Sequence, residues 1–303
     1  MGLKLNHGGH LSHGHPINFT GKTYNFIQYG CKGETGIVDM DEVEALAKEH
    51  KPKMIVAGFS AYSRDFDWVR FKAIADSVGA ITFADIAHVA GLIAGKAIKG
   101  PIEAGFDVVT TTTHKTLRGA RGALIMSKDE EVAKKIDKAV FPGLQGGPHE
   151  HIIAGIAVAL GEALKPEFQT YAKQIILNAQ KLSETLLKHG FNIVSGGTDN
   201  HLIVVDLRNK NLPGKEFTDA LDKAGISASA STVPNDPNPP MKPSGIRLGT
   251  PALTTRGMKE AEMAQVAEWI SRVADDMENP ANLAAIKKEV EDFAAKFPVP
   301  GIN

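Results

Sequence analysis

The chain has 303 residues, about twice the length of one average domain, so two domains sharing an interface are expected. Hydrophobic residues make up 43% and charged residues 23%, with no apolar run near the length of a membrane span, which describes a soluble globular protein rather than a membrane one. The formal net charge is -1 and no block of Lys and Arg stands out, so a nucleic-acid partner is excluded from the expectations.

The chain opens on a glycine- and histidine-rich loop, "NHGGHLSHGHP", where a domain of this kind would open on a strand or a capped helix. It therefore reads as starting partway into a fold. The beginning "MGLKLNHGG" has no apolar signal core and misses the myristoylation pattern at Asn6. The single cysteine, Cys31, allows no internal disulfide, so the reading is cytoplasmic. His7, His10, His13 and His15 could be metal ligands or plain loop residues. Glycines break up the spacing, so no metal is expected, and stacking on an aromatic face is the better use of an imidazole here.

From Asp39 to Met126 helices and strands alternate. Asp39 caps a helix with an apolar stripe at Val43, Leu46 and Ala47, "KMIVAGFSAYS" follows as a strand, and a second helix stops at Gly79. "AITFADIAHVAG" and "FDVVTTTTHKT" are two further buried strands, ending in Asp, His and Lys. This alternation predicts an α/β fold with a mostly parallel sheet. Ligands of such sheets lie beyond the carboxyl ends of the strands, where Ser60, Asp85, His88, His114 and Lys115 all fall.

A long helical region, about 150–189 with a break near Pro166, leads into short alternating strands and helices and two closing helices. The first of these carries Met263, Val266, Ile270, Val273 and Met277 on one stripe. The division is thus a larger domain over 1–163 and a smaller C-terminal α/β domain over 164–303.

Lys115 attacks carbonyls only when deprotonated, which calls for burial or a positive neighbour, and Arg118 and Arg121 are the nearest in sequence. Alone, Lys115 reads as a surface lysine and Asp85 as a helix cap. Together, a lysine and a buried acid at neighbouring strand ends are the pattern of a pyridoxal-phosphate site, the acid facing the ring nitrogen. Arg247 in "SGIRLGTPA" is either a surface ion-pair partner or a fork for a substrate carboxylate. "GLQGGP" is either a turn or a phosphate cradle.

The motifs "HGGHLSHG", "GFSAYSRDFDW", "DIAHVAGLIAG", "TTTTHKTLRG", "FPGLQGGPH", "VSGGTDNHL" and "SGIRLGTPALTTRG" span nearly the whole chain. With them the chain resembles the serine hydroxymethyltransferases (glycine hydroxymethyltransferases), fold-type I pyridoxal-phosphate transferases of the aspartate aminotransferase-like fold. The resemblance implies reversible interconversion of serine and glycine, with tetrahydrofolate as the one-carbon carrier. It implies that Lys115 holds the cofactor covalently, Asp85 pairs with its ring nitrogen and His10 stacks on the ring. Ser60 and His88 would lie by the phenolic oxygen, His114 beside the lysine, and Gly147 at the phosphate of a partner subunit. Arg247 would bind the substrate carboxylate, and Leu5, Gly9, His10 and Leu11 with Pro239, Pro240 and Met241 would border the folate. A homodimer or homotetramer with shared sites is implied.

The sequence departs from the family in three ways. An N-terminal stretch of the large domain is absent, Ser229, Ala230 and Ser231 stand where Asn-Lys-Asn is usual, and Ala120 and Ala123 replace Pro and Gly. The serine-rich loop motivates an alternative, a folate-independent aldolase for β-hydroxy amino acids. The absent stretch motivates another, a non-catalytic fragment that assembles with a separate N-terminal piece.

Overall fold

The computed structural model describes residues 1–33 and 35–302. In chain order its elements are β1 (Gly2–Leu3), α1 (Phe19–Thr23), β2 (Gln28–Tyr29), α2 (Met40–His50), β3 (Met54–Gly58), α3 (Trp68–Val78), β4 (Ile81–Asp85), α4 (Ala90–Ala94), β5 (Val108–Thr112) and β6 (Ala123–Met126). After α5 (Glu130–Lys138), α6 (Glu150–Ala163) and α7 (Pro166–Lys188) come β7 (Asn192–Ile193), β8 (Leu202–Asp206), α8 (Gly214–Lys223), β9 (Ser229–Ser231) and β10 (Gly245–Gly249). The chain then runs through α9 (Pro251–Thr255), α10 (Glu260–Asp275) and α11 (Pro280–Ala294).

The first four-stranded sheet has the order β3-β4-β5-β6, with the first three strands parallel and β6 antiparallel. The expected local signals operate as read. Asp39 accepts from the amides of Asp41 and Glu42 at the start of α2, and Gly79 ends α3 in the left-handed conformation with φ 71°. Apolar strands between two helical layers bury Ile55, Ala57, Ala84 and Val109 together with Phe71 and Leu92. Each such large side chain contributes about 1.5–3 kcal/mol when fully buried, which holds the strand ends in register.

The second sheet, β7-β8-β10-β9, is antiparallel and packs under α7, α8 and α10, with Val205, Ile246, Phe217 and Ile270 in its core. Helix α7 serves both cores: Phe168, Ala172 and Ile175 enter the first, and Ala179, Leu182 and Leu186 the second. Its 23 residues act as a spine between the two bodies. Among the described residues no helix is long and apolar enough to cross a membrane.

Candidate active site

Register places the reactive side chains on one edge. Gly58 pairs with Asp85 and Asp85 with Thr110, so Ser60, Asp85 and Lys115 leave the sheet at the same end. The N-terminal loop closes over that end. The Gly8 carbonyl accepts from the amides of Ser60 (2.7 Å) and Ala61 (3.0 Å). Gly8 has φ 100°, and a Cβ there would lie 2.4 Å from the Ala61 carbonyl oxygen, so only glycine permits this approach.

The loop delivers His13 to Asp85. Its Nε2 lies 3.0 Å from Asp85 Oδ2, and the side chains are 3% and 21% exposed. The His10 amide donates to His13 Nδ1 at 3.2 Å, which leaves the ring proton on Nε2, directed at the carboxylate. Asp85 Oδ1 also accepts from the Ala87 amide at 3.1 Å. Burial pushes the Asp85 carboxyl up, but the His13 hydrogen bond and the other donors outweigh it, so the group sits below the usual carboxylate range. The site therefore holds a fixed anion. His10 is exposed along one side, with Nδ1 2.7 Å from Ser12 Oγ; partial desolvation of its ring, then His13 and Lys115, lowers its proton affinity against the opposing pull of Asp85.

Lys115 is half-buried. Burial lowers its pKa, Asp85 opposes this, and the positive charge of Arg247 adds to the lowering. The sequence expectation that Arg118 and Arg121 supply the positive neighbour is corrected. Arg118 takes a left-handed φ of 59° and turns its guanidinium over the Tyr171 ring, 4.2 Å from the centroid, while Arg121 lies 3.5 Å from His114 Nε2. The effective cation comes from the other body of the protein.

Thr116 fixes the lysine loop from below. Its Oγ1 donates to the His88 carbonyl (3.0 Å) and accepts from the Gly91 amide (2.9 Å), and a Cβ on Gly91 would lie 2.1 Å from the Thr116 carbonyl oxygen. His88 stacks on His201, with centroids 5.8 Å apart and planes 17° from parallel. Burial and the nearby cations push His88 down to about 2 and His201 down to about 3, so both rings are neutral at any working pH. Burial and then Arg121 also lower His114. The Nδ1 atoms of His114 and His201 are buried without a hydrogen-bond partner among the described residues. Arg247, on β10, donates from Nη1 to the Ser60 carbonyl at 2.7 Å; among the described residues its other nitrogens are unengaged.

Asp85, His88, Lys115, Arg247 and His10 thus lie close enough to act on one another's charges, Ser60 is tied to Arg247 through its carbonyl, and His114, beside Lys115, meets Arg121. Of the residues expected around folate, two meet at one cavity. Leu5 and Pro240 line a cavity of 280 Å³ with Lys4, His15 and Gln28. Leu11 is at the surface and Met241 is 86% exposed. Gly9 is pressed against the Leu3 carbonyl, where a Cβ would come within 2.1 Å. Gly147 lies in an exposed segment with open space where a Cβ would be.

Three contributors escape a reading of the sequence: His13, Thr116 and His201. His13 was one of four histidines in a loop, 72 positions from Asp85. The adjacency of Thr116 to Lys115 and the polar run "TDNHL" opening β8 were the only signals for the others.

A family model described as serine hydroxymethyltransferase matches residues 1–270. Curated relatives named serine hydroxymethyltransferase include one from Legionella pneumophila, 53% identical over 300 residues, and one from Acinetobacter baylyi, 54% identical over 300 residues. Another, from Nitrosococcus oceani, is 53% identical over 302 residues. Each match covers 99% of this chain and 72% of the relative.

Proposed function

The chain belongs to the serine hydroxymethyltransferase family, and from that membership we propose how this cluster of side chains serves its reaction. The reaction is the reversible interconversion of serine and glycine, dependent on pyridoxal phosphate, with tetrahydrofolate as co-substrate. The fold is that of a fold-type I pyridoxal-phosphate transferase, and neither the aldolase nor the non-catalytic alternative is favoured.

The residues present fit the cofactor. The site sets the Arg247 guanidinium and the Lys115 amine beside one fixed carboxylate, groups that suit a phosphate-bearing aldehyde with a basic ring nitrogen. The partnerless Nδ1 atoms of His114 and His201 leave polar groups free for a polar aromatic guest. When bound, pyridoxal phosphate supplies a protonated ring that draws electrons from the substrate Cα.

Lys115 would hold the cofactor through Nζ, since burial and Arg247 favour the unprotonated amine that covalent attachment requires. Asp85 would bind the ring nitrogen and keep its proton there, as a carboxylate held anionic by His13. His10 would cover the ring face, with Ser60 and His88 at the phenolic oxygen. His88, held neutral, adds no positive charge beside the lysine, and burial and Arg121 shift His114 in the same direction. Arg247 would bind the substrate carboxylate with the edge not committed to Ser60. Leu5, Gly9, His10, Leu11, Pro239, Pro240 and Met241 would border the folate.

The division into domains 1–163 and 164–303, with α7 as the shared spine, belongs to the same proposal. So do a homodimer or homotetramer and a cytoplasmic setting. Phe141, Leu144, Ile153, Val158 and Leu164 are all more than half exposed along and beside α6, an apolar face that a second copy would cover, bringing Gly147 to the phosphate of its neighbour.

The observation that carries the reading is the half-buried Lys115, its proton affinity lowered, beside an Asp85 locked as an anion. Titrating the chain with pyridoxal phosphate tests it. A visible absorbance band that Lys115→Ala abolishes and glycine shifts supports the reading; a band indifferent to the substitution contradicts it.

A further inference from the structure

Two runs of sequence have no part in the chemistry above: Tyr62–Asp65, after β3, and Ser195–Asn200, before β8. They meet across the boundary between the two cores. Arg64 donates from Nη1 to Asp199 Oδ1 (2.8 Å), from Nε to Ser195 Oγ (3.2 Å) and from Nη2 to the Ser195 carbonyl. The Asp65 amide donates to Asp199 Oδ2 at 3.3 Å. In return, the Asp199 amide (2.8 Å) and Thr198 Oγ1 (3.1 Å) donate to the Ser63 carbonyl, and Asn200 Nδ2 donates to the Tyr62 carbonyl at 3.2 Å.

We propose that Arg64 is a positioning residue: with Ser195–Asn200 it forms a clasp that holds the Ser60 loop against the second sheet and thereby sets the direction of the Arg247 fork. The inference rests on the reading of Arg247 as the carboxylate ligand. Arg247 is tethered by Nη1 to the Ser60 carbonyl, so the aim of its free edge follows that carbonyl. The Ser60 amide hangs from Gly8, and Ser63, three residues further along the same loop, is gripped by the segment leading into β8. Strands β8 and β10 are paired, with Val204 opposite Arg247, so one sheet holds both the clasp and the arginine it aims.

The local backbone is built for this contact. Ser195 takes φ 63°, uncommon for a residue with a side chain, which presents its carbonyl and hydroxyl together to one guanidinium. Gly197 has φ 159°, and a Cβ there would lie 3.2 Å from Arg64 Nη2. Lysine has no planar fork with which to reach three acceptors at once. The Arg64 and Asp199 side chains are 26% and 43% exposed, so their attraction is screened, and the clasp acts through geometry rather than through ion-pair strength.

The test uses the cofactor-loaded chain and the variants Arg64→Ala, Arg64→Lys, Gly197→Ala and Arg247→Ala. Amide hydrogen exchange is measured at Asp65 and Asp199, together with glycine affinity by calorimetry. Arg64→Ala should speed exchange at both amides while β3, β4 and β5 stay protected. It should weaken glycine about tenfold, with serine KM rising in step and kcat nearly unchanged. Arg64→Lys should recover part of the loss, and Gly197→Ala should reproduce part of it.

Unchanged exchange overturns the clasp, and so does faster exchange with glycine affinity kept within twofold. Arg247→Ala separates the two claims. If glycine binds that variant normally, the carboxylate assignment fails; if binding is lost there but not in Arg64→Ala, only the clasp fails. Rotation of the Arg247 guanidinium, followed by nitrogen NMR without ligand, gives an independent reading. It should be slow in the parent and fast in Arg64→Ala, and equal rates in both overturn the proposal.

Discussion

Replacing His13 with alanine isolates the contact that keeps Asp85 anionic. A hydrogen bond to a charged group contributes about 1.5–3 kcal/mol. The Asp85 side chain is 21% exposed, so water recovers part of the loss, and the expected cost lies near the lower end, about 1.5–2 kcal/mol. Losing a donor to its charged form raises the pKa of the carboxyl. Burial already pushes this group up, and without His13 only the Ala87 amide and His10 oppose it.

The sign of the stability effect follows. A depressed folded-state pKa contributes stability that is present above the unfolded value and lost as pH falls through the folded one. The gap between parent and His13→Ala should therefore widen as pH rises through the folded-state pKa of the parent and then that of the variant, and stay constant above both. Carbon NMR of the Asp85 carboxyl, with urea unfolding at several pH values, measures both quantities. An Asp85 that titrates at the same pH in both proteins, or a stability gap unaffected by Asp85→Asn, would refute the reasoning.

Other substitutions probe the remaining supports. Asp85→Asn should still bind pyridoxal phosphate but lose at least a hundredfold in turnover; full turnover would remove Asp85 from its role. Gly91→Ala should destabilise the protein by about 1–3 kcal/mol in urea unfolding, because its Cβ would meet the Thr116 backbone, and an unchanged midpoint would contradict the described packing. His88 and His201 are held near 2 and 3, so proton NMR of their rings should show no titration between pH 5 and pH 8. Leu144→Asp and Val158→Asp should shift sedimentation toward the monomer if the α6 face joins two copies; an unchanged sedimentation profile would place the contact elsewhere.

The parts of the fold that periodicity and capping govern were legible in the sequence. Asp39, Gly79 and the apolar strands that end at Asp85 and, three residues before Lys115, at Thr112 obey local rules, and a parallel sheet brings strand ends to one edge without further information. What escaped depends on loops, whose course no period encodes. The His10 to His15 turn brings His13 onto Asp85 only because Gly8 lets the loop lie against Ala61. The arginines after Lys115 misled for a similar reason. A left-handed residue at Arg118 cannot be read from its identity, and that turn sends the charge to Tyr171 and leaves Arg247, 132 positions beyond Lys115 in the numbering, to act on the lysine. The motifs "SRDFDW" and "TDNHL" marked the family, but their mutual contact is a property of the folded pair alone.

The central claim is that Lys115 is the residue that carries the cofactor. Incubating the chain with pyridoxal phosphate, reducing it with borohydride and mapping the digested peptides by mass spectrometry tests this directly. The account predicts a phosphopyridoxyl group on the peptide that contains Lys115, lost in Lys115→Ala. Labelling spread over surface lysines, and unchanged in that variant, would contradict it.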